Sequence, residues 1–199
     1  MKKILIALAL CAISTSSMAQ WSFGVKAGIN SSTVSKPLEE VIDAHHRWGM
    51  LIGGMASYQL SRDFDLQGEL YYAKRGFKTD IYVELSEEAK PKDWYFDLHY
   101  IDMPIMLKYR PLGSIVYAEV GPQVGYLIDS KNEIKDYDED TNIDDNTNKL
   151  DFGFVGGIGV DATEHLTVDL RYYLGLTKSW KGFDGGKNRS LEFSLGYWF

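Results

Sequence analysis

Apolar residues recur at every second position through nearly all of this chain, and that period decides what it can fold into. Trp21, Phe23, Val25, Ala27 and Ile29 alternate with Ser22, Gly24, Lys26, Gly28 and Asn30. Trp48, Met50, Ile52, Gly54, Ala56, Tyr58 and Leu60 form a second run, and Phe64, Leu66, Gly68, Leu70 and Tyr72 a third. Period two sends successive side chains to opposite faces, so each run predicts a strand with one apolar and one polar face. The same pattern predicts strands over 94–110, 115–128, 151–162, 166–176 and 188–199. Within 94–110 the phase of Trp94, Phe96 and Leu98 opposes that of Ile101, Met103 and Ile105, which predicts a bulge near Tyr100.

The connections between these eight strands alternate in length. Ser61–Asp63, Pro111–Gly113 and Thr163–His165 are tight, whereas roughly 31–46, 76–93, 129–150 and 178–187 are long. Short turns alternating with long loops predict an all-β fold: an eight-stranded antiparallel up-and-down transmembrane β-barrel with short periplasmic turns and longer extracellular loops. An even strand count lets the first strand pair with the last and leaves no open edge.

Alternation alone does not say which face is apolar. A soluble eight-stranded barrel turns its apolar face inward, a membrane barrel outward. Aromatic residues bracket the apolar runs here (Trp48 and Tyr58, Phe64 and Tyr72), with aliphatic and small residues between, as in the girdles of a membrane-spanning wall. The opposite face carries a mid-strand set of both signs: Arg47, Glu69, Lys108, Glu119, Asp169, Arg171 and Glu192. A narrow polar lumen needs such pairs. The expected interior is therefore a charge network, with Tyr71, Tyr117, Tyr173 and Trp198 supplying bulk.

The first nineteen residues read differently. Lys2 and Lys3, an apolar run from Ile4 to Ile13, and small residues around Met18 before Gln20 predict a secretory signal peptide over 1–19, followed by a barrel domain over 20–199. Cys11 is the sole cysteine and falls inside that segment, preceded by Leu10, too bulky for a lipid-attachment signal. A formal net charge of −7 gives no basic face for nucleic acid. The expected destination is the bacterial outer membrane, reached through the periplasm.

Several local features invite a chemical reading. Residues 129–151 hold nine acids and three lysines. Asp136, Asp138 and Asp140 have the one-three-five spacing of a calcium loop, but Thr141 stands where that loop needs glycine and Thr147 where it needs a bidentate glutamate. They are weak metal candidates, and a solvated acidic loop accounts for them. His45, His46, His99 and His165 could serve as bases, with Ser130 or Ser179 as nucleophile, but no spacing selects a catalytic set. No catalytic residue and no cofactor is expected. Gly53-Gly54 and Gly156-Gly157-Ile158-Gly159 lie within strand patterns with no helix following. They therefore predict relief of crowding in a narrow barrel rather than a phosphate loop.

Six blocks, LQGELYYAKRGFK (66–78), YIDMPIMLKYRP (100–111), VYAEVGPQVGYLI (116–128), DFGFVGGIGVD (151–161), LTVDLRYYLGLT (166–177) and LEFSLGYWF (191–199), together resemble the PorT-like "outer membrane protein β-barrel domain" family, whose members are often labelled porin family proteins. The resemblance implies an eight-stranded outer-membrane barrel and carries over no activity. It also implies that the alternating C-terminal strand, with Phe193, Leu195, Tyr197 and a final aromatic Phe199, is a signal read by the barrel-assembly machinery. The expected role is structural or interactive, exerted by a monomer through its extracellular loops on an unidentified extracellular or envelope partner, with outer-membrane lipid around the wall. The alternatives are a small passive channel and an outer-membrane enzyme acting on lipid A.

Overall fold

A computed structural model describes residues 20–34, 44–81, 92–134, 137–142, 148–178 and 186–199. The expected signal peptide lies outside them. The strands are β1 (Trp21–Val34), β2 (Ala44–Gln59), β3 (Phe64–Ile81), β4 (Lys92–Tyr109), β5 (Val116–Ile134), β6 (Tyr137–Asn142), β7 (Leu150–Asp161), β8 (Leu166–Gly175) and β9 (Asn188–Trp198). Each of β1 to β5 pairs antiparallel with the next, β5 pairs with β7, β7 with β8 and β8 with β9. β9 then returns to β1, from Gly24↔Trp198 to Val34↔Asn188. Eight strands thus form a closed up-and-down barrel.

β6 is a ninth strand, outside the barrel and absent from the expected set. Pairing of β5 with β7 ends at Tyr126↔Leu150, and beyond it β6 folds back onto β5 from Lys131↔Asn142 to Ile134↔Tyr137. The long connections are correspondingly shorter than the alternation implied. β1 runs on to Val34, β2 begins at Ala44, β3 continues to Ile81 and β4 begins at Lys92. A membrane strand needs about 9–11 residues, whereas β3 and β4 have 18 and β5 has 19. These strands are therefore longer than one bilayer crossing requires. The apolar-polar alternation lapses toward the ends of β3 and β5 while backbone pairing continues.

The register shift expected near Tyr100 lies between His99 and Tyr100, but its extra residue belongs to β5: His99 faces Asp129 and Tyr100 faces Leu127, leaving Ile128 over. β4 itself keeps one phase, with Leu98, Tyr100 and Asp102 all buried. A second shift, between His46 and Leu51 of β2, has no counterpart in the expected pattern.

The apolar face points outward. Ile52, Leu70, Ile105, Val120, Ile158, Leu170 and Phe193 all lie exposed on the wall. So large a continuous apolar surface is tolerable in lipid and not in water. Near the short turns the wall is aromatic: Trp21 packs on Tyr58 at 5.1 Å, Phe64 on Tyr109 at 5.0 Å and Tyr197 on Phe199 at 5.9 Å. Trp48 and Tyr126 stand exposed toward the other end, completing a two-girdle band.

Glycine makes room for the interior rings. A Cβ at Gly159 would collide with the ring of Tyr117, its cross-strand partner, and one at Gly53 with Tyr71. The Tyr117 ring lies over backbone that carries no side chain, so its bulk fits a cylinder of only eight strands. On the lipid face the constraint vanishes: a Cβ at Gly156 would meet nothing nearer than 3.7 Å.

Candidate functional site

Because the inward positions alternate strictly with the wall, each strand delivers its polar residues to the axis at fixed heights. Arg171 of β8 stands at the centre. Its guanidinium holds Glu69 of β3 through Nη1 at 2.8 Å and Nη2 at 2.9 Å, and also grips Glu119 of β5 through Nε, with Nη2 at 3.2 Å. Lys26 of β1 adds its ammonium to Glu69 at 2.9 Å, and Lys108 of β4 lies 3.7 Å from Glu119. Asp169 sits 3.8 Å from Arg171 and accepts the Tyr117 hydroxyl at 2.6 Å. Gln67 donates to Glu69. These charged groups are at most 6% exposed. They form one cross-barrel node joining five strands.

A second node lies on the extracellular side. Arg75 of β3 contacts Asp102 of β4 at 2.6 Å, Asp151 of β7 at 3.6 Å and Glu192 of β9 at 3.7 Å. Its guanidinium also stacks over Tyr173 at 4.5 Å and Tyr100 at 5.4 Å. Asn188 donates to Asp151 at 2.8 Å and to the Tyr100 hydroxyl at 3.2 Å, while the Tyr71 hydroxyl bridges Gln123 and Glu192.

Toward the short turns the lumen opens into a cavity of about 480 Å³, lined by Gln67, Lys108, Arg110, Asp65, Asp161 and Trp198 among others. Arg110 spans it, 2.7 Å from Asp65 and 3.0 Å from Asp161. Gln67 and Lys108, which line the cavity, also touch Glu69 and Glu119 of the Arg171 node.

Six of the seven charged residues read from the sequence as lumen groups, Glu69, Lys108, Glu119, Asp169, Arg171 and Glu192, are buried in these nodes. Arg47 is not among them. It pairs with Asp97, which also takes Lys74 at 2.7 Å. Lys74 adjoins the buried Arg75 and therefore points to the opposite face. The Arg47 backbone nonetheless keeps the inward phase, opposite the buried Ser32 in an unbroken β1–β2 register. Lys26, Arg75, Asp102 and Asp151 belong to the interior but escaped the sequence reading. All four sit in the inward phase of their strands, which was the available signal.

The other candidates are dispersed. Asp136 lies outside the described residues, while Asp138 and Asp140 fall on β6 rather than in an open loop. Ser130 is buried in the lumen and Ser179 lies outside the described residues. His99 bonds the Tyr72 hydroxyl, and His165 the Trp198 carbonyl at 3.0 Å. His46 stands 3.2 Å from Ser31 Oγ on the outer face, with no third group orienting the imidazole among the described residues. Phe199 donates its backbone N–H to the Phe23 carbonyl at 2.9 Å, anchoring the last residue to the first strand. Its ring is 76% exposed on the wall.

Among solved structures, Neisserial surface protein A is 16% identical with a TM-score of 0.57, the match covering 89% of this chain and 97% of that one. Ail, the attachment invasion locus protein of Yersinia pestis, is 15% identical with a TM-score of 0.50, covering 90% and 99%. At such identities the likeness is one of fold. No curated protein matches the chain by sequence. The profile of the family described as "Outer membrane protein beta-barrel domain" matches residues 14–181. An apolar outer wall, a closed eight-stranded barrel and this match agree, and the chain belongs to the outer membrane protein beta-barrel domain family of the bacterial outer membrane.

Proposed function

We propose that this protein is a monomeric, ion-tight and non-enzymatic barrel, PorT-like within its family, that acts through what its extracellular strands and loops present to a partner. The observation that carries this reading is the Arg171 node. Paired charges bridging β1, β3, β4, β5 and β8 fill the axis, and eight strands enclose little more space than side chains can fill. The passive-channel alternative would need a continuous aqueous path through that node. The lipid-A enzyme alternative would need an oriented nucleophile and base, and among the described residues the Ser31–His46 pair has no orienting third group. The part of the molecule left to carry a role is the projecting sheet of β3, β4, β5 and β6.

Site-specific photo-cross-linking in whole cells tests the proposal. A cross-linker at Tyr137 of β6 should yield a discrete protein adduct, and one at Arg62 in a short turn should not. Adducts from Arg62 alone would place the interaction in the periplasm and overturn the reading.

A further inference from the structure

The two halves of the interior differ in charge balance. In the central node Lys26, Lys108 and Arg171 face Glu69, Glu119 and Asp169, three against three. In the extracellular half Arg75 is the one cation, among the described residues, paired with Asp102, Asp151 and Glu192. All four are no more than 2% exposed. With all three carboxylates ionised, two negative charges would be uncompensated where taking an ion out of water is most costly. Arg171 stands directly opposite Glu192 in the β8–β9 register, yet its guanidinium is committed to Glu69 and Glu119.

A second observation falls on the same spot. Asn30 is the β1 partner of Glu192 across the seam where the barrel closes, and both of its amide atoms are buried without a partner. Ser190 and Ser194 flank Glu192 on the same face, and their hydroxyls are orphaned too, while Glu192 Oε1 has only the Arg75 guanidinium, at 3.7 Å. Asn30, Ser190, Glu192 and Ser194 are each 0–1% exposed. Asp102 and Glu192 reach the same Arg75 nitrogen, Asp102 through Oδ2, which leaves its Oδ1 to the Gln123 side chain. That oxygen lies beside Gly125, where any Cβ would come within 2.6 Å of it. Buried donors and acceptors are rarely left unpaired, and each such group is costly.

We propose that the β1–β9 seam holds a hard cation of the calcium class. Carboxylate, amide carbonyl and hydroxyl oxygens are the donors such an ion takes. Glu192 and Asn30 supply the first of them, one from each closing strand; Ser190 and Ser194 flank the ion, and Asp102 faces it across the lumen. A divalent charge brings the extracellular half to neutrality, and the ion ties the last strand to the first inside the wall. The site is independent of the acidic β5–β6 region and of any partner.

The test uses the full mature barrel refolded in detergent and stripped with EDTA, with its melting midpoint followed by heat-dependent gel mobility. Calcium chloride at a hundredfold excess over its Kd should raise the midpoint by about 5–10 °C, magnesium chloride less, and sodium chloride at matched ionic strength little. Glu192→Gln and Asn30→Ala should abolish the calcium response, and Glu192→Gln should melt above the wild type in EDTA because it removes a repelled charge. Should Glu192→Gln not fold, Ser190→Ala combined with Asn30→Ala reports the same loss. A variant with Asp136, Asp138 and Asp140 all changed to Asn should keep the response. Identical midpoints in calcium and EDTA would overturn the proposal. So would a response that disappears with the three β6-region acids, or one that follows acidification with no dependence on metal.

Discussion

Arg171 and Gly159 show how far single residues carry the interior. Truncating Arg171 leaves Glu69 and Glu119 buried against each other, with Lys26 and Lys108 as remaining counter-charges. Breaking one partner from a buried cluster costs about 3–5 kcal/mol, so Arg171→Ala should lower unfolding stability in urea by that amount, and Arg110→Ala, whose ion pairs are partly exposed, by much less. Adding a methyl at Gly159 drives the Tyr117 ring from its seat and should cost about 1–3 kcal/mol. The same change at Gly156 on the lipid face should stay within about 0.5 kcal/mol. Unchanged stability of Gly159→Ala would show that the ring does not need the glycine. That these positions face inward was legible from the alternation. Which charge meets which was not, because partners such as Glu69 and Arg171 lie 102 positions apart and meet only through barrel closure. Arg47 illustrates the limit: it keeps the inward phase, opposite the buried Ser32, but its guanidinium pairs with Asp97, which also takes Lys74, and so joins neither node.

At the scale of a strand, alternation located all eight barrel strands wherever one face meets lipid and the other the lumen. It lapsed beyond those spans, so the ends of β3 and β5 read as loops and β6 was missed, whereas β4 was placed to within two residues. The wall itself makes a firm prediction. Leu170 lies midway along β8, between Ile158 and Phe193 on its neighbours. Leu170→Arg should cost about 2–4 kcal/mol by the depth rule for lipid-facing charges, whereas Trp48→Arg, near the extracellular girdle, should cost about 1 kcal/mol or less. Equal penalties would misplace the bilayer on the barrel. β9 adds an assembly test. The Phe199 ring is mostly exposed, so its removal forfeits little packing within the fold. A large drop in outer-membrane levels on deleting Phe199, with unimpaired refolding in detergent, is expected if the assembly machinery reads this residue together with Phe193, Leu195 and Tyr197. Normal levels would reduce the motif to a closing strand.

The whole molecule combines an apolar exterior with an interior whose axis carries buried ion pairs. The cavity near the short turns is lined by Gln67 and Lys108, and the Arg171 node that they touch joins five strands across the axis. Breaking that node for each passing ion would cost several kcal/mol, which is incompatible with steady conduction. The most direct measurement is therefore single-channel recording of the purified mature barrel in planar bilayers. No stable stepwise conductance is expected from the wild type, and Arg171→Ala is the variant in which steps should first emerge. Reproducible steps from the folded wild-type protein, altered in size by Glu119→Ala or Arg171→Ala, would contradict a sealed interior and make the protein a channel.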